Sequence, residues 1–391
     1  MNSVSWMKEA IIYQVFIDRF YGFTNKMNLP EFLGGNLNGV VKKLDYLSQL
    51  GINVIWLSPF YDSNKYHGYH ITDFQKVNPQ FGSLQDLETL ITAARAKGIK
   101  VIADLVPNHC SDQHPFFQDA YHNKMSKYAN WFVFEKWPNH YLSFMEFKDL
   151  PKLNFDNQEV REYIFKIANY WLSMGLDGFR IDYAIGIPHT FWKEFRQKIK
   201  TKYPKIVLIG EVWCERLDKK QFKTVAIKRK LRRRIFGISQ EKLQLEYYKE
   251  LDGVLDFGLN RILTDSVKKG VDLLSDINLR SKIEKHFRKV PPDYLMVSFL
   301  DNHDMDRFLR HCKGDVKILL NAFELLLSLN RPVVIYNGTE NCTYNKSPVN
   351  ALIGNSDLMV REPIDWDNID REFFDDLRDL INRYRNNDQF L

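Results

Sequence analysis

Eight short apolar runs rich in β-branched residues, most of them separated by stretches with helical spacing, constrain the fold of this chain most. They are Ile11–Ile17, Val54–Ser58, Val101–Val106, Gly178–Tyr183, Ile206–Val212, Val254–Leu259, Leu295–Leu300 and Val333–Tyr336. Between them, Val160, Ile164, Ile167 and Trp171 fall on one helical face, and Leu84–Lys97, His189–Lys202 and Val316–Leu329 carry similar patterns. Continuous apolar runs suit strands buried on both faces, and strands alternating with helices pair in parallel through right-handed crossovers. Eight such units predict an α/β fold, a (β/α)8 TIM barrel, although periodicity alone also admits a doubly wound sheet. The length of 391 residues fits one large barrel with an insertion.

The insertion is expected at Pro107–Lys152, a connection rich in His, Asn, Asp and aromatic residues with weak periodicity. Irregular segments of that length are usually functional or form a small subdomain. The expected organisation is therefore a barrel over residues 1–106 and 153–391, with an inserted domain over 107–152. After Trp366 only one amphipathic pattern remains (Phe373, Leu377, Leu380, Ile381, Tyr384), so no C-terminal β-sandwich domain is expected.

Composition narrows the function classes. The net charge of +6 is modest, and much of it lies in Lys219–Arg234. No nucleic-acid motif accompanies that run, so it reads as a solvated helix face and no nucleic-acid partner is expected. Four scattered cysteines (Cys110, Cys214, Cys312, Cys342) without CxxC spacing read as free thiols in a reducing compartment. No N-terminal apolar leader and no 18-residue apolar segment is present, so the chain reads as soluble and cytoplasmic, with no membrane partner. Aromatic residues make up 14% of the chain, a surplus that a carbohydrate site can use for stacking on sugar faces.

Polar residues follow the expected strands. In GFRIDYA (Gly178–Ala184), Arg180 and Asp182 stand two apart and would share one face of a strand. The pair reads either as a structural ion pair or as an oriented, ionised nucleophile. DLVPNH supplies Asp104, Asn108 and His109; GEVW supplies Glu211 and Trp213; FLDNHD supplies Asp301, Asn302, His303 and Asp304. Four strand ends bearing carboxylates, two of them with histidines, fit glycoside hydrolysis, which needs one carboxylate nucleophile and one carboxylic acid. Val212 and Trp213 suggest apolar surroundings for Glu211, which would suit it to be the acid. No metal-ligand spacing and no phosphate loop competes with that reading.

DLVPNH, GFRIDYA, GEVW and FLDNHD resemble, in order and placement, the four signature regions of the α-amylase family of glycoside hydrolases (family 13). IIYQVFIDRF, HGYHITDF and NSDLMVREP resemble its supporting stretches, and LPKLNFDN resembles the form of its fifth region found in neopullulanases, cyclodextrin-degrading enzymes and maltogenic amylases. The resemblance implies Asp182 as nucleophile, Glu211 as general acid/base and Asp304 as the carboxylate that holds sugar hydroxyls. It implies that Arg180 orients Asp182 and that His109 and His303 contact hydroxyls. Tyr69 would stack under the sugar, while Trp213, Asp357 and Arg361 would line the substrate. Asp104 and Asn108 match structural positions. The implied activity is retaining hydrolysis of α-1,4 and, in some members, α-1,6 linkages of malto-oligosaccharides or related α-glucans. A glucanotransferase, a trehalose-forming enzyme or an inactive sugar-binding scaffold are the alternatives. Two departures stand out. Gly186 replaces a side chain the family often carries four residues after the nucleophile, and Lys152 stands where many calcium-dependent members have Asp. No cofactor is therefore expected, calcium included.

Overall fold

A computed structural model describes residues 4–23, 31–213, 239–349 and 356–386. The basic run Lys219–Arg234 and Cys214 lie outside them. Eight parallel strands close into a barrel, followed here as β1 (Ile11–Val15), β2 (Val54–Leu57), β3 (Lys100–Leu105), β4 (Gly178–Ile181), β5 (Val207–Gly210), β6 (Gly253–Leu255), β7 (Leu295–Phe299) and β8 (Val333–Tyr336). Each of the eight expected runs overlaps one strand to within a residue at its start, and the doubly wound alternative is excluded by the closed order. The principal helices are α1 (Leu84–Ala96), α2 (Gln158–Ser173), α3 (His189–Lys202), α4 (Phe257–Lys268), α5 (Ile277–Phe287), α6 (Val316–Ser328) and α7 (Arg371–Arg385).

Two expected strands run on into helices, Ile11–Ile17 at Ile17 and Val254–Leu259 at Phe257. Val254–Leu259 ends as a strand at Leu255, because the Asp256 side chain accepts from the Leu259 backbone N–H and starts α4. An N-capping Asp followed by an apolar run is a helix start, and it ends the strand here.

The chain divides into two compact units, one of Met1–Ser58, Gln80–Val101 and Leu255–Leu391, the other of Pro59–Pro79 and Ile102–Val254. In the second unit, β3, β4 and β5 align so that Asp104 pairs with Arg180, Arg180 with Ile209, and Ile181 with Gly210. The ladder continues one residue past each strand: Asp182 N–H donates to Leu105 C=O and Glu211 N–H to Ile181 C=O, both at 2.8 Å. Gly178 permits this approach, since a Cβ there would stand 2.2 Å from Val207 O at a φ of +149°. Within the residues 107–152, α-helical Pro115–His122 and a short antiparallel pair, Phe134–Lys136 with His140–Tyr141, supply the regular structure.

Trp171 shows how the second unit is packed. Fully buried on α2, it donates from Nε1 to Phe74 O at 2.8 Å and meets Phe60 edge-on at 4.8 Å. In the first unit, Phe373, Leu377, Leu380, Ile381 and Tyr384 are buried along one face of α7, as their spacing requires. Removing the indole leaves a cavity and an unpaired carbonyl. Trp171→Ala should therefore lower unfolding stability by about 3–5 kcal/mol, read from urea denaturation midpoints.

Candidate active site

In the second unit the chemistry is gathered around one guanidinium. Arg180 is 1% exposed. Its Nη1 donates to Asp104 Oδ1 at 3.1 Å and to Asp182 Oδ1 at 3.0 Å, while Nη2 lies 2.9 Å from Glu211 Oε1. Parallel register explains the grouping: Asp104 and Arg180 are ladder partners, and Asp182 and Glu211 are the next residues of adjacent strands. Burial alone would lower the Arg180 pKa, but Asp104, Glu211, Tyr69 and Asp182 together hold it well above its ordinary value. One buried guanidinium thus faces three carboxylates.

Glu211 is buried, and both of its carboxylate oxygens meet polar groups. Its Oε2 accepts the Tyr183 backbone N–H at 2.9 Å, and its other oxygen faces Arg180. Val212 is buried in the core, while Trp213 is half-exposed. Neighbours in an extended stretch point to opposite sides, so Val212 says nothing about what surrounds Glu211. Tyr183 adopts left-handed φ at 42°, uncommon for a bulky residue. That turn directs its N–H at Glu211 and lets Ala184 N–H reach Glu211 O at 3.1 Å.

Asp104 also accepts from Tyr69 Oη at 2.7 Å, and Tyr69, half-buried, stacks against His67 at 5.7 Å. His109 is 1% exposed, with Nδ1 at 3.3 Å from Asn108 Nδ2. Burial, reinforced by His70 and Lys152, lowers its pKa to about 3, so it is neutral at pH 7. The two departures from the family pattern turn out to be one contact: Lys152 Nζ donates to Gly186 O and, at 3.1 Å, to Asn108 Oδ1. A Cβ at Gly186 would fall 2.2 Å from Asn108 Oδ1, so no side chain fits there while Asn108 keeps this position.

In the first unit, Asp304 follows β7, and its side chain is 46% exposed. Arg361 Nη2 donates to Asp304 Oδ1 at 2.7 Å, and His303 Nε2 lies 3.0 Å from Asp304 Oδ2. Arg361 Nη1 pairs with Asp357 Oδ2 at 2.6 Å, and Nε donates to His303 O at 2.9 Å. Asp301 is structural: it accepts from Phe308 N–H and from Thr339 Oγ1. Two residues here escape sequence reasoning. Gln14 on β1 reaches His303, and Glu340 accepts from Tyr13 Oη at 2.8 Å and Tyr46 Oη at 3.2 Å. Gln14 is the lone polar residue of its run, which was the available signal. Among the described residues, no cluster of three or more His, Cys, Asp or Glu side chains could hold a metal ion. No helix among them is long and apolar enough to cross a membrane.

The family model for the alpha-amylase catalytic domain matches residues 14–382, and the chain belongs to that family. It is 35% identical over 387 residues to Alpha-amylase 2 of Dictyoglomus thermophilum, covering 96% of this chain and 63% of that protein. It is 29% identical over 407 residues to Neopullulanase 2 of Thermoactinomyces vulgaris, covering 96% of this chain and 62% of that protein. Thus the chain spans somewhat less than two thirds of the length of these relatives. The ligand-free cyclic α-maltosyl-(1→6)-maltose hydrolase from Arthrobacter globiformis superposes with a TM-score of 0.80 at 26% identity, covering 97% of this chain and 83% of that one.

The His109 environment gives a pH test. Its folded-state pKa lies below the ordinary 6.5, so the stability it contributes is fully present above pH 6.5 and is lost as the pH falls toward 3. Each extra proton taken up by the unfolded chain steepens that fall by about 1.4 kcal/mol per pH unit. His109→Asn should therefore show a shallower loss of stability between pH 6 and pH 4 than the parent protein, measured by urea titration at each pH.

Proposed function

We propose that the protein is a retaining α-glucan hydrolase acting at α-1,4 linkages of malto-oligosaccharides or related short glucans, with α-1,6 linkages the second candidate that pullulan tests. The observation that carries this reading is the buried Arg180, which holds Asp182 and Glu211 at the ends of adjacent strands. In the proposed mechanism Asp182 attacks the anomeric carbon while Glu211, protonated, donates to the departing oxygen. A glycosyl ester forms, and Glu211 then takes a proton from water, which attacks the same carbon and releases Asp182. Asp304 binds sugar hydroxyls and stabilises the oxocarbenium-like transition state. His109, neutral, donates to a hydroxyl, His303 lines the same subsite, Tyr69 and Trp213 offer ring faces, and Asp357 works through Arg361. Residues 107–152 are read as the inserted domain that walls the cleft. The names of the relatives, two of them hydrolases or amylases by title and one a neopullulanase, support this substrate class. The free thiols Cys110, Cys312 and Cys342 support a reducing, cytoplasmic setting.

A product profile on starch, pullulan, cyclodextrin, maltotriose and trehalose tests the reading. Shorter products alone from maltotriose are expected, whereas longer ones would establish transfer in place of hydrolysis. The α-anomer should appear first in an NMR time course, and β-anomer first would overturn the covalent mechanism. Glu211→Gln should lower kcat by about 10²- to 10⁴-fold, and Asp182→Asn by at least as much. Activity unchanged in Asp182→Asn would overturn the nucleophile assignment. The ammonium of Lys152 already satisfies Asn108 and the Gly186 carbonyl, so activity should survive chelator treatment. Strict calcium dependence would refute that role.

A further inference from the structure

Gln14 is an amide placed where a strand has no structural use for one. It lies in β1 between Tyr13 and Val15, is wholly buried, and its side chain crosses to a residue 289 positions away. Its Nε2 lies 2.8 Å from His303 Nδ1. An amide nitrogen can only donate, so Nδ1 must be the bare, accepting nitrogen of that ring. The other ring nitrogen faces Asp304 Oδ2 at 3.0 Å, and a carboxylate oxygen can only accept. Both contacts demand the same neutral form of His303, with its proton on Nε2. The reverse tautomer would set lone pair against lone pair at both ends.

The ring is also held in orientation. Phe16 packs against it with centroids 5.9 Å apart, and the Arg361 guanidinium lies 5.6 Å above Phe16. Asp304 then receives one donor on each oxygen, Arg361 on Oδ1 and His303 on Oδ2. A carboxylate 46% exposed has rotamer freedom to lose, and these two donors remove it. The Gln14 Oε1 atom finds no hydrogen-bond partner among the described residues, so the amide is committed through its nitrogen alone.

We propose that Gln14 is a positioning residue that fixes His303 in its uncharged Nε2–H form, and through it fixes the Asp304 carboxylate. An uncharged ring adds a donor to Asp304 without adding a second cation beside Arg361. The negative charge of Asp304 therefore stays available to a substrate that develops positive charge. The effect on turnover rests on the role proposed for Asp304; the tautomer does not.

The test separates the two. Long-range 1H–15N spectra of the 15N-histidine-labelled protein at neutral pH, with His303 assigned by its loss in His303→Asn, should show a protonated Nε2 and a bare Nδ1. Gln14→Glu, which places an acceptor against the ring, should put a proton on Nδ1 in the same spectrum. Gln14→Met should lower kcat on maltotriose by about 10- to 100-fold, the usual scale for losing an orienting partner, with KM within about twofold. A protonated Nδ1 in the parent protein, or a His303 spectrum unmoved by Gln14→Glu, would overturn the proposal. The expected spectra with undiminished kcat in Gln14→Met would uphold the tautomer and overturn the positioning of Asp304 through Gln14, whereas undiminished kcat in Asp304→Asn would sink the role given to Asp304 itself.

Discussion

The Arg180 guanidinium is the interaction on which this structure most depends. It is buried, so it must be paired, and it is paired three times, to Asp104, Asp182 and Glu211. Those partners come from three consecutive strands of one parallel ladder, and only the observed register brings them within reach. A one-residue slip would send Asp104 and Arg180 to opposite faces. Removing the guanidinium would leave three carboxylates without their shared counter-charge in a poorly solvated place. Fold and chemistry are therefore specified by the same few residues.

The other unit fixes its carboxylate by different means. Asp304 is about half exposed and cannot rely on burial, so its two oxygens are tied separately, one by a guanidinium and one by an imidazole. Arg361 is itself anchored by Asp357 and by the His303 carbonyl. A charged group near solvent is ordered here by hydrogen bonds from groups that are buried. This inverts the arrangement at Asp182, where anchor and anchored group are both enclosed.

Much of this was legible in the sequence because parallel strands are buried on both faces and leave continuous apolar runs. Helical faces such as Val160, Ile164, Ile167 and Trp171 were legible for the same reason. Strand ends were less so. Phe257 and Leu259 look like a continuation of β6 until Asp256 is recognised as a cap. The Arg180–Asp182 pairing could be read from alternation, but Asp104 joins it only through inter-strand register. Val212 and Trp213 follow Glu211 in the sequence but do not report its polar contacts, the Tyr183 N–H and Arg180. Gln14 stands out as the polar residue of an apolar run, but the partners of Gln14 and Glu340 lie 289 and 327 positions away, and nothing local to either residue encodes them.

The contact among Asn108, Lys152 and Gly186 has a consequence for how this chain can change. The three positions are coupled through one set of contacts. A side chain at 186 collides with Asn108, an apolar residue at 152 strands two carbonyl oxygens, and a smaller residue at 108 frees the space that forbids the side chain at 186. Substitutions there do not add independently. A side chain at 186 also meets the Tyr183 ring 2.8 Å away, so any path by which a descendant acquires one must move both Asn108 and Tyr183, and the order of those steps matters as much as their identity.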